Sequence, residues 1–380
     1  MKLSCTKENL AQGLAITSHI STKNVNLPIL NNVLMRVDGG GLKLISTNLE
    51  IAITCNVRGK VEQQGEYTIP SKLFFDFVTL LPNERVDIDL LDDAISVACG
   101  SAKTKIIGIS SGEFPLVPPV SGGTKFSVGV DGFRKALSQT LFATATNESR
   151  PELSGVYMAF ANEEDSKKTI TLAATDSYRL AEAVVAVVDG SKTNTSVIVP
   201  QRTLSELNRV FAVFRDDVEA PDVVEIELAD NQIVFRYGSV ELTSRTIEGK
   251  YPDYKQIIPE KVITTTIVDR VGLVQAVKTA SLFAKTGLFD VELSVNTDSG
   301  QLDLSASDAT RGENKVSLDS EITGSENRIT LNYRYLIDGV NAITSDRVAL
   351  QLIDGANPCT ILPHEKADEK YRYIVMPIRQ

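Results

Sequence analysis

Short segments of alternating apolar and polar residues run directly into helical segments at three places along the chain. They begin at Lys2, Lys125 and Thr264, and apolar residues follow at three- and four-residue spacing, as Leu10 and Leu14 do in the first. A period of two is typical of a strand, and a period near 3.6 is typical of a helix. The pattern predicts three strand-to-helix units whose starts lie about 120–140 residues apart.

A second set of strand-to-helix segments lies between the first three. These segments begin at Glu66, Ser196 and Asn327. Pro70 and Pro200 stand at two of the junctions, where the N–H that proline lacks has no helical partner to lose. We therefore expect six amphipathic helices, each of which must pack its apolar stripe on a sheet.

Two further classes of segment also occur three times. The segments LISTNLEIA, LAATDSYRLA and LSASDATRGE start at Leu44, Leu172 and Leu304, and a hairpin pattern follows later in each third. The four classes keep one order, which argues against chance self-similarity. They predict an α+β fold of three repeated domains, each made of two β-α-β-β-β units.

Proline- and glycine-rich stretches at residues 114–124 and 251–261 separate the thirds. We therefore expect domains at residues 1–121, 122–254 and 255–380, each within the range of about 100–200 residues that is common for domains.

One acidic residue, Asp176 of the ATDSYR segment, could be taken for a catalytic acid. Asn48 and Asp308 stand at its equivalent positions in the other thirds. Side chains of this type commonly bind backbone N–H groups in turns. We expect a structural turn role for all three.

Composition indicates an ordinary globular protein of 380 residues, with 42% hydrophobic and 23% charged residues. The sequence has no long apolar run, and its N-terminus, MKLSCTKENLAQGL, has no signal-peptide core, so we expect a cytoplasmic protein without a membrane partner. The four cysteines are widely separated, which favours reduced, partly buried thiols: Cys5, Cys55, Cys99 and Cys359.

The distribution of charge changes the picture that the net charge of −10 gives. The six helical segments and their ends together carry +6, so the rest of the chain carries −16. One interpretation is a few charges on solvated helix faces. The other is a basic helix layer that faces phosphates, with an acidic exterior that repels DNA elsewhere.

Motifs for catalysis, cofactors and metals are absent from the sequence. It contains no phosphate-binding loop, no dinucleotide fingerprint, no GxSxG and no HExxH. His19 and His364 are its two histidines, and neither has a second ligand at metal spacing. We expect no catalytic residues, no metal site and no cofactor. An enzyme of nucleic-acid metabolism stays open as an alternative, and it would need a convergent acidic or metal site.

Six short sequences, in order along the chain, match the signatures of one family. They are NLPIL from Asn26, SRPELSGV from Ser149, ATDSYRLA from Ala174, SVIVP from Ser196, GKYPDY from Gly249 and YIVMPIR from Tyr373. Through them the chain resembles, over its entire length, the beta sliding clamp of bacterial DNA polymerase III. A specialised second copy with a clamp-like sequence is the alternative within this family.

The resemblance implies a head-to-tail homodimeric ring with helices lining the hole and sheets outside. Such a ring encircles double-stranded DNA without sequence specificity and has no catalytic activity. Implied partners are a second copy of the chain, double-stranded DNA, the DNA polymerase III alpha subunit, the clamp loader complex and other proteins with clamp-binding motifs, including repair polymerases, mismatch-repair proteins and ligase.

The resemblance also implies a pocket that takes a short extended peptide with leucine and aromatic anchors. The residues expected to form it are Leu153, Thr175, Ser177, Tyr178, Arg179, Leu180, Pro252, Ile257, Thr360, Ile361, Val375, Met376, Pro377, Ile378 and Arg379. Ser177 and Tyr178 replace a frequent Gly-His pair, Gln256 replaces a common arginine, and Gln380 replaces a terminal leucine. These departures bear on the preference for partners.

Two further sets of residues follow from the resemblance and the charge pattern. Expected DNA contacts are Lys23, Asn24, Lys72, Arg150, Arg202, Lys285, Asn332 and Tyr335. The expected dimer interface pairs an edge strand with the other chain through Lys103, Lys105, Ile106, Ile107, Leu282, Phe283 and Glu292.

Overall fold

The structure, a computed structural model, describes residues 1–20, 27–117, 120–146, 149–162, 168–215, 217, 219–364 and 370–379. The chain divides into two compact units. Unit 1 comprises Met1–Asp131, Val187–Ser191 and Arg202–Thr246. Unit 2 comprises Gly132–Ala186, Lys192–Gln201 and Ile247–Gln380.

The elements follow one order three times, and we call each round a repeat. Repeat 1 contains β1 Lys2–Thr6, α1 Lys7–Thr17, β2 Asn32–Asp38, β3 Gly41–Thr47, β4 Ile51–Val57, β5 Gly59–Gln63, β6 Gly65–Pro70, α2 Ser71–Thr79, β7 Arg85–Leu91, β8 Ala94–Cys99 and β9 Ala102–Ile107. Repeat 2 contains β10 Thr124–Gly129, α3 Val130–Thr140, β11 Gly155–Asn162, β12 Lys168–Thr175, β13 Arg179–Gly190, β14 Thr195–Pro200, α4 Gln201–Val213, β15 Val223–Ala229, β16 Gln232–Tyr237 and β17 Val240–Arg245.

Repeat 3 completes the chain. It contains β18 Thr264–Asp269, α5 Arg270–Ser281, β19 Asp290–Asn296, β20 Gln301–Asp308, β21 Gly312–Asp319, β22 Glu321–Gly324, β23 Asn327–Asn332, α6 Tyr333–Asn341, β24 Arg347–Leu352, β25 Cys359–Pro363 and β26 Tyr371–Val375. Short 3-10 turns lie at Pro28–Asn31, Ser111–Glu113, Leu141–Ala143, Pro151–Leu153 and Tyr254–Ile257. Repeat 2 has the predicted pair of β-α-β-β-β units, and repeats 1 and 3 have the same pair with one additional short strand, β5 and β22, at the end of the first unit.

Unit 1 contains two antiparallel sheets. Sheet 1 has the strand order β5-β1-β7-β8-β9 and belongs to repeat 1. Sheet 2 runs from the end of β13 through β10, β15, β16, β17, β4, β3 and β2 to β6. Its centre is the pairing of β17 with β4, where Val240 lies opposite Cys55 and Leu242 opposite Ile53. Sheet 2 is therefore one continuous sheet built from two repeats.

Unit 2 has a matching construction. Sheet 3 runs in the order β14-β11-β12-β13-β26-β25-β24-β18-β22. Its two halves meet where β13 pairs with β26, with Ala183 opposite Tyr371 and Arg179 opposite Val375. Sheet 4 has the order β21-β20-β19-β23 and belongs to repeat 3. Among the described strands, β9 ends sheet 1 and β21 ends sheet 4, each without a partner on its outer side.

Helices α1, α5 and α6 begin beside a capping side chain, whereas α2 begins after Pro70, which makes no side-chain cap bond. The Thr6 hydroxyl accepts from Asn9 N–H at 3.3 Å, and the Asp269 carboxylate accepts from Gly272 N–H at 2.6 Å. The Asn332 side chain accepts from Arg334 N–H at 2.9 Å. Such bonds satisfy N–H groups that have no partner inside the helix. The helices then bury one stripe, as Leu10, Leu14 and Phe74 do in the core of repeat 1.

The turn role predicted for Asn48, Asp176 and Asp308 is confirmed in geometry. Asn48 Oδ1 accepts from Ile51 N–H at 2.8 Å, Asp176 Oδ1 from Arg179 N–H at 3.1 Å, and Asp308 Oδ1 from Thr310 N–H at 2.9 Å. Leu49 and Ser177, the next residues in the first two turns, have left-handed φ values of 78° and 79°. The two turns are therefore alike in backbone as well as in sequence.

In the part of the chain that the structure describes, no helix is both long and apolar enough to cross a membrane.

The four cysteines are free and buried, as the sequence predicted for reduced thiols. Burial raises the pKa of Cys5 and Cys359 to about 12 and that of Cys55 to about 11. We expect no rapid reaction of the native protein with a thiol reagent at pH 8 and four reactive thiols after unfolding. Because the folded pKa values are raised, stability should fall as pH rises from about 9, where the unfolded thiols begin to ionise.

That expectation is checked by titration with a chromogenic disulfide and by thermal unfolding between pH 8 and 11. A native thiol that reacts as fast as a free cysteine would contradict it.

Candidate functional site

Four separate segments of the predicted pocket come together in unit 2. The cluster includes Leu153 from a 3-10 turn, Leu180 from β13, Tyr251 and Tyr254 from the segment after sheet 2, and Ile374 from β26. All five are buried, and the partly exposed Ile257 packs against them. The cluster is the apolar base on which the exposed residues of the site stand.

Strand pairing fixes the C-terminal side of this site. Leu180 lies opposite Ile374 in the β13–β26 pair, and Thr360 lies opposite Ile374 in the β25–β26 pair. Beyond the strand, Met376 N–H donates to Tyr178 O at 2.9 Å. Met376 is thus held beside Tyr178, a residue that is 64% exposed. An exposed aromatic ring beside a flexible methionine suits a site that accepts apolar side chains.

Arg179 ties this site together. Its guanidinium donates to Asp176 Oδ2 at 2.9 Å, to Asp338 Oδ2 at 2.6 Å and to Phe142 O at 2.7 Å. The group also lies over the ring of Tyr335, 4.6 Å from its centre. Burial works to lower the pKa of Arg179, but Tyr373 and the two carboxylates outweigh it and raise that pKa. Arg179 therefore acts mainly as a link between repeats 2 and 3.

The wall formed by Tyr254–Ile257 is held from the sheet. The Tyr254 hydroxyl donates to Glu182 Oε2 at 2.7 Å, and Glu182 lies opposite Arg372 in the β13–β26 pair. Burial and the neighbouring Glu182 carboxylate raise the pKa of Tyr254 well above its usual value, so the hydroxyl stays a donor. The Tyr157 and Tyr251 rings stack at 5.1 Å beside it.

The predicted pocket residues differ in accessibility. Six are buried within the protein: Leu153, Thr175, Leu180, Thr360, Ile361 and Val375. The exposed or partly exposed ones are Ser177, Tyr178, Arg179, Pro252, Ile257, Met376, Pro377, Ile378 and Arg379. A ligand would meet the second group first, supported from below by the first. Sequence reasoning missed Tyr251 and Tyr254, although the GKYPDY segment carries both.

The predicted DNA contacts lie mostly at the start of helices. Lys72 and Arg202 are exposed second residues of α2 and α4, and Asn332 caps α6. Arg150 pairs with Glu152 at 3.0 Å, and Lys285 lies 3.9 Å from Asp290. Tyr335 is half-buried beside Arg179. Lys23 and Asn24 lie outside the described residues.

Arg334 is a basic residue that sequence reasoning missed. It is the second residue of α6, the position that Lys72 and Arg202 occupy in α2 and α4. Its guanidinium lies 3.7 Å from the centre of the Phe289 ring, which orients it while leaving the residue exposed. The repeat was the signal that could have found it.

The predicted interface residues divide between the two open edges. Lys103, Lys105, Ile106 and Ile107 lie on β9, where Ile107 is 73% exposed. In repeat 3, Leu282 follows α5 and is 67% exposed. Phe283 follows it, whereas Glu292 lies on β19, two strands in from the edge strand β21, and approaches Arg328 at 3.6 Å.

Among the residues that the structure describes, no three His, Cys, Asp or Glu side chains form a group that could hold a metal ion. His19 instead shares Glu206 with Arg209, at 2.6 Å from Nδ1 to Oε1.

Three family models match consecutive parts of the chain. They describe the N-terminal, central and C-terminal domains of the DNA polymerase III beta subunit and match residues 1–118, 127–253 and 255–379. The chain belongs to the DNA polymerase III beta subunit family. Three clamp domains of mixed helix and sheet are thereby confirmed. Beta subunits are sliding clamps, processivity factors of DNA replication without catalytic activity, which confirms the non-enzymatic interpretation.

Individual beta clamps agree with this assignment. The beta sliding clamp of Synechocystis sp. is 30% identical over 399 aligned positions, covering 100% of this chain and 99% of the relative. The Pseudomonas aeruginosa clamp bound to griselimycin has 26% identity and a TM-score of 0.91 over the full length of both chains. The Bartonella birtlesii clamp bound to griselimycin has 27% identity and a TM-score of 0.90 over the same coverage.

Replacing Arg179 with alanine should lower the free energy of unfolding by about 2–4 kcal/mol, because it leaves Asp338, Asp176 and the Phe142 carbonyl without their donor. Arg179→Lys should lose roughly half as much, since one ammonium cannot reach three acceptors. Chemical denaturation measures both.

The matched control is Arg58→Ala, which breaks an exposed pair with Glu219 and should cost less than about 1 kcal/mol. Equal losses in the two alanine variants would show that Arg179 is not a buried link.

Proposed function

We propose that two copies of this clamp chain close into a head-to-tail ring around double-stranded DNA. The observation that supports this most is which strand edges are paired within the chain and which are not. Within the chain, β17 joins β4 and β26 joins β13, in each case the last strand of one repeat against the fourth strand of the repeat before. Among the described strands, two of those classes are left over, β9 and β21. We propose one clamp domain per repeat, with boundaries near 121/122 and 254/255.

The internal joints give a register for the proposed joint between chains. Ala102 is the first residue of β9 and corresponds to Val240, the first residue of β17, since they pair with Cys99 and Tyr237 in equivalent hairpins. In β21, Val316 corresponds to Cys55 of β4, because Val316 pairs with Leu304 and Cys55 pairs with the equivalent Leu44. Val240 lies opposite Cys55. Ala102 should therefore lie opposite Val316 of the second chain.

This register has favourable chemistry. Counting antiparallel from Ala102 and Val316 sets Thr104 opposite Asn314 and Lys105 opposite Glu313. In the second pair, Lys105 would meet an opposite charge across the joint.

Exposed apolar residues on the helices support the same joint. Leu80 follows α2 and is 86% exposed, whereas Val210, at the equivalent position of α4, is fully buried. Leu73 of α2 is 56% exposed, and Leu282 after α5 is 67% exposed. Apolar patches of this kind on an otherwise ordinary surface mark protein interfaces. Covering them against the second chain would complete the set of equivalent joints.

The repeated basic position supports the DNA side of the proposal. Lys72, Arg202 and Arg334 are the second residues of α2, α4 and α6, so a closed ring would present six such charges in a regular array. Cations at helix starts, with no base-reading motif, favour phosphate contacts that are individually weak and sensitive to salt. Arg150, Lys285, Asn332, Tyr335, Lys23 and Asn24 are the other proposed contacts.

The unit 2 cluster beneath Tyr178 and Met376 is the proposed peptide pocket. Two related clamps have been solved with griselimycin bound. By analogy, this pocket would take a short extended peptide, with the apolar base described above receiving leucine and aromatic side chains. The polymerase III alpha subunit, the clamp loader and repair proteins with clamp-binding motifs are the proposed partners.

Cysteines at the paired positions test the ring directly. Thr104→Cys with Asn314→Cys should form a disulfide between chains on mild oxidation, because opposite residues in antiparallel strands have Cα atoms about 4.5–5.5 Å apart. Non-reducing electrophoresis of the intact protein should show a covalent dimer.

Thr104→Cys with Lys315→Cys is the matched control, since a one-residue shift moves the second thiol to the other face of the sheet. Cross-linking of the control alone would reject the register, and a monomeric mass for the unmodified protein would reject the ring.

A fluorescent Gln-Leu-Ser-Leu-Phe peptide tests the pocket. Saturable binding with a dissociation constant on the order of micromolar is expected, and Met376→Ala should weaken it about tenfold by removing an apolar wall. Fluorescence anisotropy measures both.

Val188→Ala, another exposed apolar residue at 66% exposure but in unit 1, should bind the peptide normally. Equal affinity in all three proteins would place the binding elsewhere.

A further inference from the structure

Arg209 locks the joint between repeats 1 and 2 within unit 1. Its guanidinium donates to Ala15 O at 2.7 Å and to Ile16 O at 2.6 Å, the carbonyls at the end of α1. Its Nε donates to Glu206 Oε2 at 2.9 Å, and Glu206 is almost fully buried. The last carbonyls of a helix have no partner inside it. A guanidinium that satisfies two of them ties α4 to α1 with charge-assisted bonds.

Arg179 plays the corresponding part between repeats 2 and 3. It donates to the carbonyl of Phe142, just beyond α3, and to Asp338 of α6. Asp338 and Glu206 are both the sixth residue of their helices. The two arginines come from different elements, yet each joins the end of a first helix to an acid at one fixed position of a second helix.

The proposed joint between chains has the acid but not the arginine. Asp76 is the sixth residue of α2, and it is exposed. Thr79 stands at the ninth position, which Arg209 occupies in α4, and Gly312 stands where β13 has Arg179. The nearby Arg311 is directed to Thr286, to which its guanidinium donates at 2.9 Å.

We infer that Arg209 and Arg179 are positioning residues that keep the two internal joints closed. The joint between chains opens because it lacks such a guanidinium link between its helices. The inference rests on the proposed ring. On this view the ring opens between chains because Thr79 and Gly312 stand at the positions that Arg209 and Arg179 occupy in the internal joints. The apolar contacts and strand pairing, which all three joints would share, cannot distinguish them.

The test introduces an arginine link at the joint between chains. In Thr79→Arg the new guanidinium, beside Asp76, would reach the carbonyls of Lys278 and Thr279 of the second chain, which stand at the ninth and tenth positions of α5 as Ala15 and Ile16 stand in α1. Charge-assisted hydrogen bonds of this kind change an equilibrium about tenfold or more. Exchange between ¹⁵N-labelled and unlabelled dimers should therefore slow by at least about tenfold.

Native mass spectrometry follows the growth of the hybrid dimer, with two control variants. Thr79→Lys adds the charge without the several N–H donors of a guanidinium, and it should slow exchange much less. Thr79→Arg with Asp76→Ala removes the acid that orients the guanidinium and should return the rate toward that of the unmodified protein. A dimer that exchanges equally fast in every variant overturns the inference alone. A monomeric mass overturns the homodimer and the inference together.

Removing the arginine link from an internal joint provides the reverse test. Arg209→Thr gives the joint between repeats 1 and 2 the residue that stands in α2, so hydrogen exchange should rise about tenfold or more at the end of α1. Arg209→Lys should restore part of the protection. Unchanged exchange in Arg209→Thr would show that Arg209 does not hold this joint and would overturn the inference.

Discussion

Hydrogen bonding along strand edges is the constraint on which the rest of the protein depends. An open edge leaves a row of backbone N–H and C=O groups without protein partners, and two such edges satisfy each other when they meet. Sheets 2 and 3 are both formed in this way, from half-sheets of adjacent repeats. The helices follow, because each is attached directly to a strand end. Arginines then fix the helices across the joints that the strands have made.

Much of the fold was predictable because its signals are local. A change from period two to period 3.6 marks every strand-to-helix step, and prolines mark two of the helix starts. One kind of break between strands has no signal in the sequence. Arg58 separates β4 from β5 in repeat 1, and Ser320 separates β21 from β22 in repeat 3. At each break the chain passes from one sheet into another. Which sheet a strand joins depends on partners far along the chain.

The candidate site shows the same division. Resemblance identified four segments that the structure brings into one cluster. It also named Arg179, but the partner that defines the role of this residue, Asp338, lies 159 positions away and has no local signal. Arg334 differs, because the repeat alone places it with Lys72 and Arg202. Internal repetition therefore predicts residue positions well, whereas the bonds between distant residues need coordinates.

The unpaired strands at the two ends of the repeat series have a consequence for how such proteins can evolve. Each repeat has the same two kinds of edge, and every joint uses one of each. A chain with two repeats would therefore expose the same pair of edges as a chain with three. It could close the proposed ring from three copies in place of two. The number of repeats that a gene encodes is then free to vary, provided that it divides the circle evenly.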